Sequence, residues 1–163
     1  MNKIRCPYLP SKLSTNNKKL DEILDEAADI LKSSFTDADI TFQGKKVVGV
    51  YPQSKKESYK HILKLDDKTA TPSQLIERAL YCKQYGEIIK RASNNKCCSE
   101  LMCWREYDTR KSRWKWCIVC PKSKILIVLG ETKNTFIVIT AFRLMGKGLE
   151  KERKKYLKYK NKR

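Results

Sequence analysis

The chain has a single histidine, His61, among 163 residues. Every site that needs two histidines is thereby excluded, whether a metal centre or a histidine acid–base pair. Its six glycines are scattered, and no G-x-x-x-x-G-K run exists to cradle a nucleotide's phosphates. Acidic side chains are few, 18 against 36 Lys and Arg. They form no paired-carboxylate motif; the β-rich half offers mainly Glu100, Glu106, Asp108 and Glu131 for any two-metal chemistry. Long apolar runs are also missing. The longest, ILIVL (125–129) and FIVIT (136–140), are strand-sized, far short of a membrane span. The opening MNKIRCPYLP holds no apolar stretch of a secretory leader, so the expected location is cytoplasmic.

Seven cysteines cannot all pair, and in a reducing compartment they read as core thiols. Cys97, Cys103, Cys117 and Cys120 can be written as a four-thiolate zinc set. Only Cys117 and Cys120 have C-x-x-C spacing, however, and residues three apart on a strand point to opposite faces. No metal and no cofactor is expected.

Positive charge is abundant. The net charge is +18, and ten basic residues crowd positions 143–163, opposed only by Glu150 and Glu152. A small protein this basic calls for a polyanion. Nucleic acid leads, because each neutralised phosphate releases condensed counterions. A membrane surface is the rival, but Leu149, Tyr156, Leu157 and Tyr159 are thin apolar material for an interfacial helix.

Periodicity predicts an α+β fold. Residues 17–35 form an amphipathic helix with an apolar stripe from Leu20 to Leu31 and an acidic opposite face, Asp21 to Asp29. A hairpin with Gly44 at its turn follows over 38–52, and SYKHILKL (58–65) is ambiguous. Thr71 as N-cap and Pro72 at the first helical position start a helix to about residue 92. Four strands then succeed one another at 99–108, 113–120, 125–131 and 135–143, joined by short polar turns. The expected architecture is N-terminal helices packed on a four-stranded antiparallel sheet, with a basic C-terminal tail. The divisions are a helical region 1–38, a core 39–146 and the tail 147–163, all in one compact domain.

A basic surface with one histidine suits metal-independent cleavage of RNA. There the 2′-hydroxyl attacks its own neighbouring phosphate, and the protein supplies a base, an acid and cations for the developing charge. The residues of the right types are His61, Glu106, Arg105, Arg113, Lys133, Thr140 and Arg143. Aromatics interleave with the cations: Trp104, Tyr107, Trp114 and Trp116 stand beside Arg105, Arg110, Lys111 and Arg113, as stacking of unpaired bases requires. By alternation Trp114 and Trp116 share a face with Ile118 and read as core; Trp104 fits either role.

The order of segments SYKHILKL (58–65), IERA (76–79) and KNTFIVITAF (133–142) resembles the phage-associated nucleases of the barnase–EndoU–colicin–RelE group. The resemblance spans residues 45–145. It implies helices before a four-stranded antiparallel sheet and metal-independent endoribonuclease activity of a toxin or effector. By the same resemblance His61 is the base or acid, Arg78 a phosphate contact and Thr140 the hydroxyl of the last strand; Phe142 replaces a tyrosine common in the family. Trp104, Arg105, Arg113, Lys133 and Arg143 complete the expected RNA contacts. The expected partners are RNA, tRNA among the candidates, and an acidic antitoxin or inhibitor protein. The rival readings are a non-catalytic nucleic-acid-binding protein on the same scaffold and an accessory protein for an acidic partner.

Overall fold

The computed structural model describes Cys6 and residues 9–37, 39–94 and 100–161. Helix α1 (Leu20–Lys32) buries Ile23, Ala27, Ala28 and Leu31 and runs into a π turn at Ser33–Asp37. Strands β1 (Thr41–Phe42) and β2 (Lys45–Val48) form the expected hairpin. Its turn places Gln43 and Gly44 at φ 50° and 76°, the left-handed region that a two-residue hairpin turn demands. The ambiguous segment yields a short helix, α2 (Ser58–Ile62).

The helix predicted to run from Thr71 to about residue 92 is two helices, α3 (Pro72–Leu80) and α4 (Cys82–Asn94). Its start is as read: Thr71 Oγ1 accepts from Gln74 N–H, and Gln74 Oε1 accepts from Thr71 N–H. It breaks at Tyr81 because two carbonyls there have partners outside the helical ladder. The Tyr85 hydroxyl donates to Arg78 O at 3.3 Å, and Leu13 N–H donates to Leu80 O at 2.9 Å.

Strands β3 (Met102–Asp108), β4 (Arg113–Cys120), β5 (Ile125–Glu131) and β6 (Thr135–Arg143) form the antiparallel meander, within a few residues of the expected bounds. The expectation of a four-stranded antiparallel sheet is nevertheless wrong. The sheet has six strands in the order β1-β2-β6-β5-β4-β3, and it is mixed, because β2 pairs with β6 in parallel through Lys46–Val48. The N-terminal hairpin thus extends the meander along its β6 edge.

This sheet is strongly curled. Phe42 on β1 and Trp116 on β4 lie four strand spacings apart, about 19 Å if the sheet were flat. Their ring centroids are 5.4 Å apart. The inside of the curl holds the main core, with α1 and α4 packed against Val47, Ile118, Ile127, Leu129, Phe136 and Val138.

The helices are not all N-terminal either. The last segment is no free tail but helix α5 (Gly148–Tyr159), which packs on the outer face of the sheet at β3. Its Leu149, Tyr156 and Tyr159 cover a second core of Met102, Trp104, Cys117, Val119, Leu126 and Leu144. No helix among the described residues is long and apolar enough to cross a membrane.

Candidate nucleic-acid interface and reaction site

The outer face of the sheet is covered by α5 only on the β3 side. Toward β6 it exposes a surface shaped by a β-bulge. Leu129 pairs with Val138 but Val128 with Thr140, so Ile139 is an extra residue. The bulge turns two successive side chains outward. Thr140 is paired with outer-face Val128, and Ile139 lies over Gly130: a Cβ at Gly130 would stand 3.1 Å from Ile139 Cδ1. The same added Cβ would stand 3.5 Å from Arg113 Nη1. Because residue 130 has no side chain, the Arg113 guanidinium reaches from β4 over Gly130 of β5, next to Ile139 of the bulge.

A second guanidinium lies on the same face, farther along β6. Arg78, on α3, stacks 4.5 Å above the ring of Phe142, two residues beyond Thr140 and on the same face. Burial lowers the Arg78 pKa from its usual value, because the charged form loses hydration there. Arg113 is half-buried too, and its Nε is buried with no hydrogen-bond acceptor. Among the described residues neither cation has a carboxylate partner. Other cations of the sheet do: Lys115 pairs with Glu106 at 3.0 Å, and Arg105 with Glu131 at 2.9 Å. A half-desolvated cation without an anion is costly, and a phosphate group would offset that cost.

His61 stands at the neighbouring edge. Strand β2 flanks β6 only at Thr135–Ile137; α2 also lies against β6. Buried Ile62 and Leu63 anchor α2 in the core and leave the His61 side chain 54% exposed. A turn with Lys64 at φ 58° folds the chain back, and His61 Nδ1–H donates to Asp66 Oδ2 at 3.0 Å. That bond fixes the neutral ring's proton on Nδ1 and leaves Nε2 as the acceptor, the tautomer a general base needs. Asp66 carries no sequence signal of this role; only the turn at residue 64 reveals it.

The structure therefore gathers Thr140, Arg78 and Arg113 on one face and sets His61 on the helix packed against the same strand. The remaining expected residues go elsewhere. Glu106 is on the outer face but engaged: it accepts from Trp104 Nε1 at 2.9 Å and from Lys115, with its side chain 13% exposed. Burial pushes its carboxyl pKa up, yet these hydrogen bonds outweigh it and the net shift is downward, which makes it a poor base. Trp104 is 1% exposed beneath Tyr156 of α5, so it is a core residue and no stacking platform. Arg105 points to the inner face, tied to Glu131. Arg143 sits 3.8 Å from Glu77 at one end of the sheet, and Lys133 is exposed in the β5–β6 turn.

Trp116 packs against the main core as expected, whereas Trp114 does not. It is 43% exposed, with Arg105 stacked 4.2 Å from its ring and Tyr107, 49% exposed, at 5.2 Å. Alternation placed Trp114 on the correct face, but the β3–β4 hairpin projects past the helices that would cover it. Beside it a cleft of about 540 Å³ opens at the mouth of the curl, lined by Lys45, Arg105, Trp116, Glu131, Phe136 and Lys160.

Cys117 and Cys120 fall in opposite cores, as their spacing requires. Cys97 and Cys98 lie outside the described residues. No group of three or more His, Cys, Asp or Glu among the described residues is placed to hold a metal ion. Comparisons of the chain with protein-family models, with curated proteins and with solved structures find no match.

Proposed function

We propose that the chain is a metal-independent endoribonuclease, of the kind its resemblance to the barnase–EndoU–colicin–RelE group implies, acting in the cytoplasm. The observation that carries this reading is the pair of half-buried guanidiniums on the Thr140 face, Arg78 over Phe142 and Arg113 at Gly130, neither with a carboxylate partner among the described residues. They suit a scissile phosphate. In this mechanism His61 Nε2 takes the proton of the 2′-hydroxyl, and the 2′-oxygen attacks the adjacent phosphorus. The bond to the 5′-oxygen breaks, that oxygen takes a proton from water, the imidazolium of His61 returns its proton to the hydroxide so formed, and a 2′,3′-cyclic phosphate remains. Arg78 and Arg113 stabilise the charge that develops on the non-bridging oxygens, and the Thr140 hydroxyl donates to one of them. Asp66 holds the imidazole in its tautomer and stabilises the imidazolium once it forms. RNA is the substrate, tRNA among its candidates. An acidic inhibitor would present carboxylates to the same two guanidiniums.

The test is cleavage of RNA by wild type against His61→Ala, Arg78→Ala and Arg113→Ala. Loss of turnover in all three supports the reading, and full activity in them ends it. A second reading, binding without cleavage, draws on the exposed Trp114, Tyr107 and Arg105 stack. It is favoured if no RNA is cut while Trp114→Ala weakens binding by about 1–3 kcal/mol, the usual worth of one stacked base.

A further inference from the structure

A second cleft, of about 520 Å³, lies where the segment around Lys12, the α3–α4 junction and the β4–β5 turn meet. Its volume is in the range of small-ligand sites. Three cations line it, Lys12, Lys122 and Arg143, against one carboxylate, Glu77. Lys12 Nζ and the Arg143 guanidinium lie 5.1 Å and 5.8 Å from the ring of Tyr81, so both are held over the cleft's aromatic floor.

The cleft also collects unsatisfied polar atoms. Two buried side-chain oxygens of its lining residues, Gln84 Oε1 and Ser123 Oγ, have no hydrogen bond among the described residues. Gln84 decides the chemistry. Its side chain is 97% buried by complement of its 3% exposure, and Nε2 donates to Pro10 O at 3.0 Å, which fixes the amide's orientation. Its Oε1 can only accept, so it asks for a donor from whatever fills the cleft. Arg143 already faces Glu77 Oε1 at 3.8 Å, which leaves the charge of Lys12 and Lys122 for an anion. Orphaned buried polar atoms are rare in folded proteins and point to a missing partner.

We propose that this cleft binds a nucleoside monophosphate. The phosphate dianion meets the excess positive charge of Lys12 and Lys122. A ribose hydroxyl or exocyclic amine donates to Gln84 Oε1, and Ser123 Oγ completes the polar contacts. The site is separate from the cleavage reading: Arg143 pairs with Ile125 of the main core on the inner face, whereas Thr140 is on the outer face.

Isothermal titration calorimetry of the full chain with AMP, CMP, GMP, UMP, ribose 5-phosphate and inorganic phosphate tests it. At least one mononucleotide should bind about tenfold or more tighter than inorganic phosphate, the worth of one or two further hydrogen bonds at a charged site. Lys122→Ala should weaken mononucleotide and phosphate alike by about tenfold. Gln84→Leu should weaken the mononucleotide but not phosphate. Should Gln84→Leu fail to fold, Lys122→Ala and Ser123→Ala, both at the β4–β5 turn, decide the matter. The proposal is overturned if no mononucleotide binds, if none binds tighter than inorganic phosphate, or if Lys122→Ala leaves mononucleotide affinity unchanged.

Discussion

At the scale of single residues the account rests on His61 and its bond to Asp66. His61→Ala should lower turnover about 10²–10⁴-fold, the usual share of a general base, with RNA affinity nearly unchanged. Asp66→Asn should cost less and should distort the pH–rate profile, since it removes the charge that steadies the imidazolium. An unaltered profile would assign Asp66 to the turn alone. The role of Glu106 is opposite to the one its sequence position suggested. Its folded-state pKa is lowered, so it adds stability that is present above the unfolded carboxylate range and lost as pH falls through the folded value. Acid titration of thermal stability should therefore show a loss beginning below roughly pH 5, and Glu106→Gln should flatten it. His61, Arg78, Arg113 and Thr140 could be named from residue type and order. Asp66 and Gly130 could not, because their parts depend on a positive-φ turn and on a gap across a neighbouring strand.

Among the elements, the meander was legible because each strand is bounded by a polar turn and holds its alternation. Pairing of β2 with β6 was not, since it joins Lys46–Val48 to Thr135–Ile137 across more than half the chain. The docking of α5 was hidden by dilution. Leu149, Glu152, Tyr156 and Tyr159 do form a stripe at helical spacing, but lysines and a buried glutamate interrupt it. Truncation after Gly146, which a free tail would tolerate, should instead expose Trp104. Its fluorescence should shift to the red, and stability should fall by several kcal/mol, comparable to a Trp→Ala change in a core, about 3–5 kcal/mol. A truncated chain as stable as the full one would refute the docked helix.

For the molecule as a whole, charge and curvature act together. The curl places the helical layer on the inside and leaves the outer face free between α5 and α3. Helix α5, packed on the same outer face, carries exposed lysines, Lys151, Lys154 and Lys158 among them. Substituting these three by Ala should weaken binding to all single-stranded RNAs alike. The slope of log affinity against log salt should become shallower by roughly 2, at about 0.7 per phosphate contact. An unchanged slope would mean that RNA avoids α5. The central claim is that the Thr140 face cuts RNA through the 2′-hydroxyl, using side chains alone. The most direct measurement incubates the purified chain with single-stranded RNA in excess EDTA and analyses the new ends. The account predicts cleavage with 2′,3′-cyclic phosphate termini, abolished by His61→Ala. Cleavage that disappears in EDTA and returns with magnesium, or new ends without a cyclic phosphate, would contradict it.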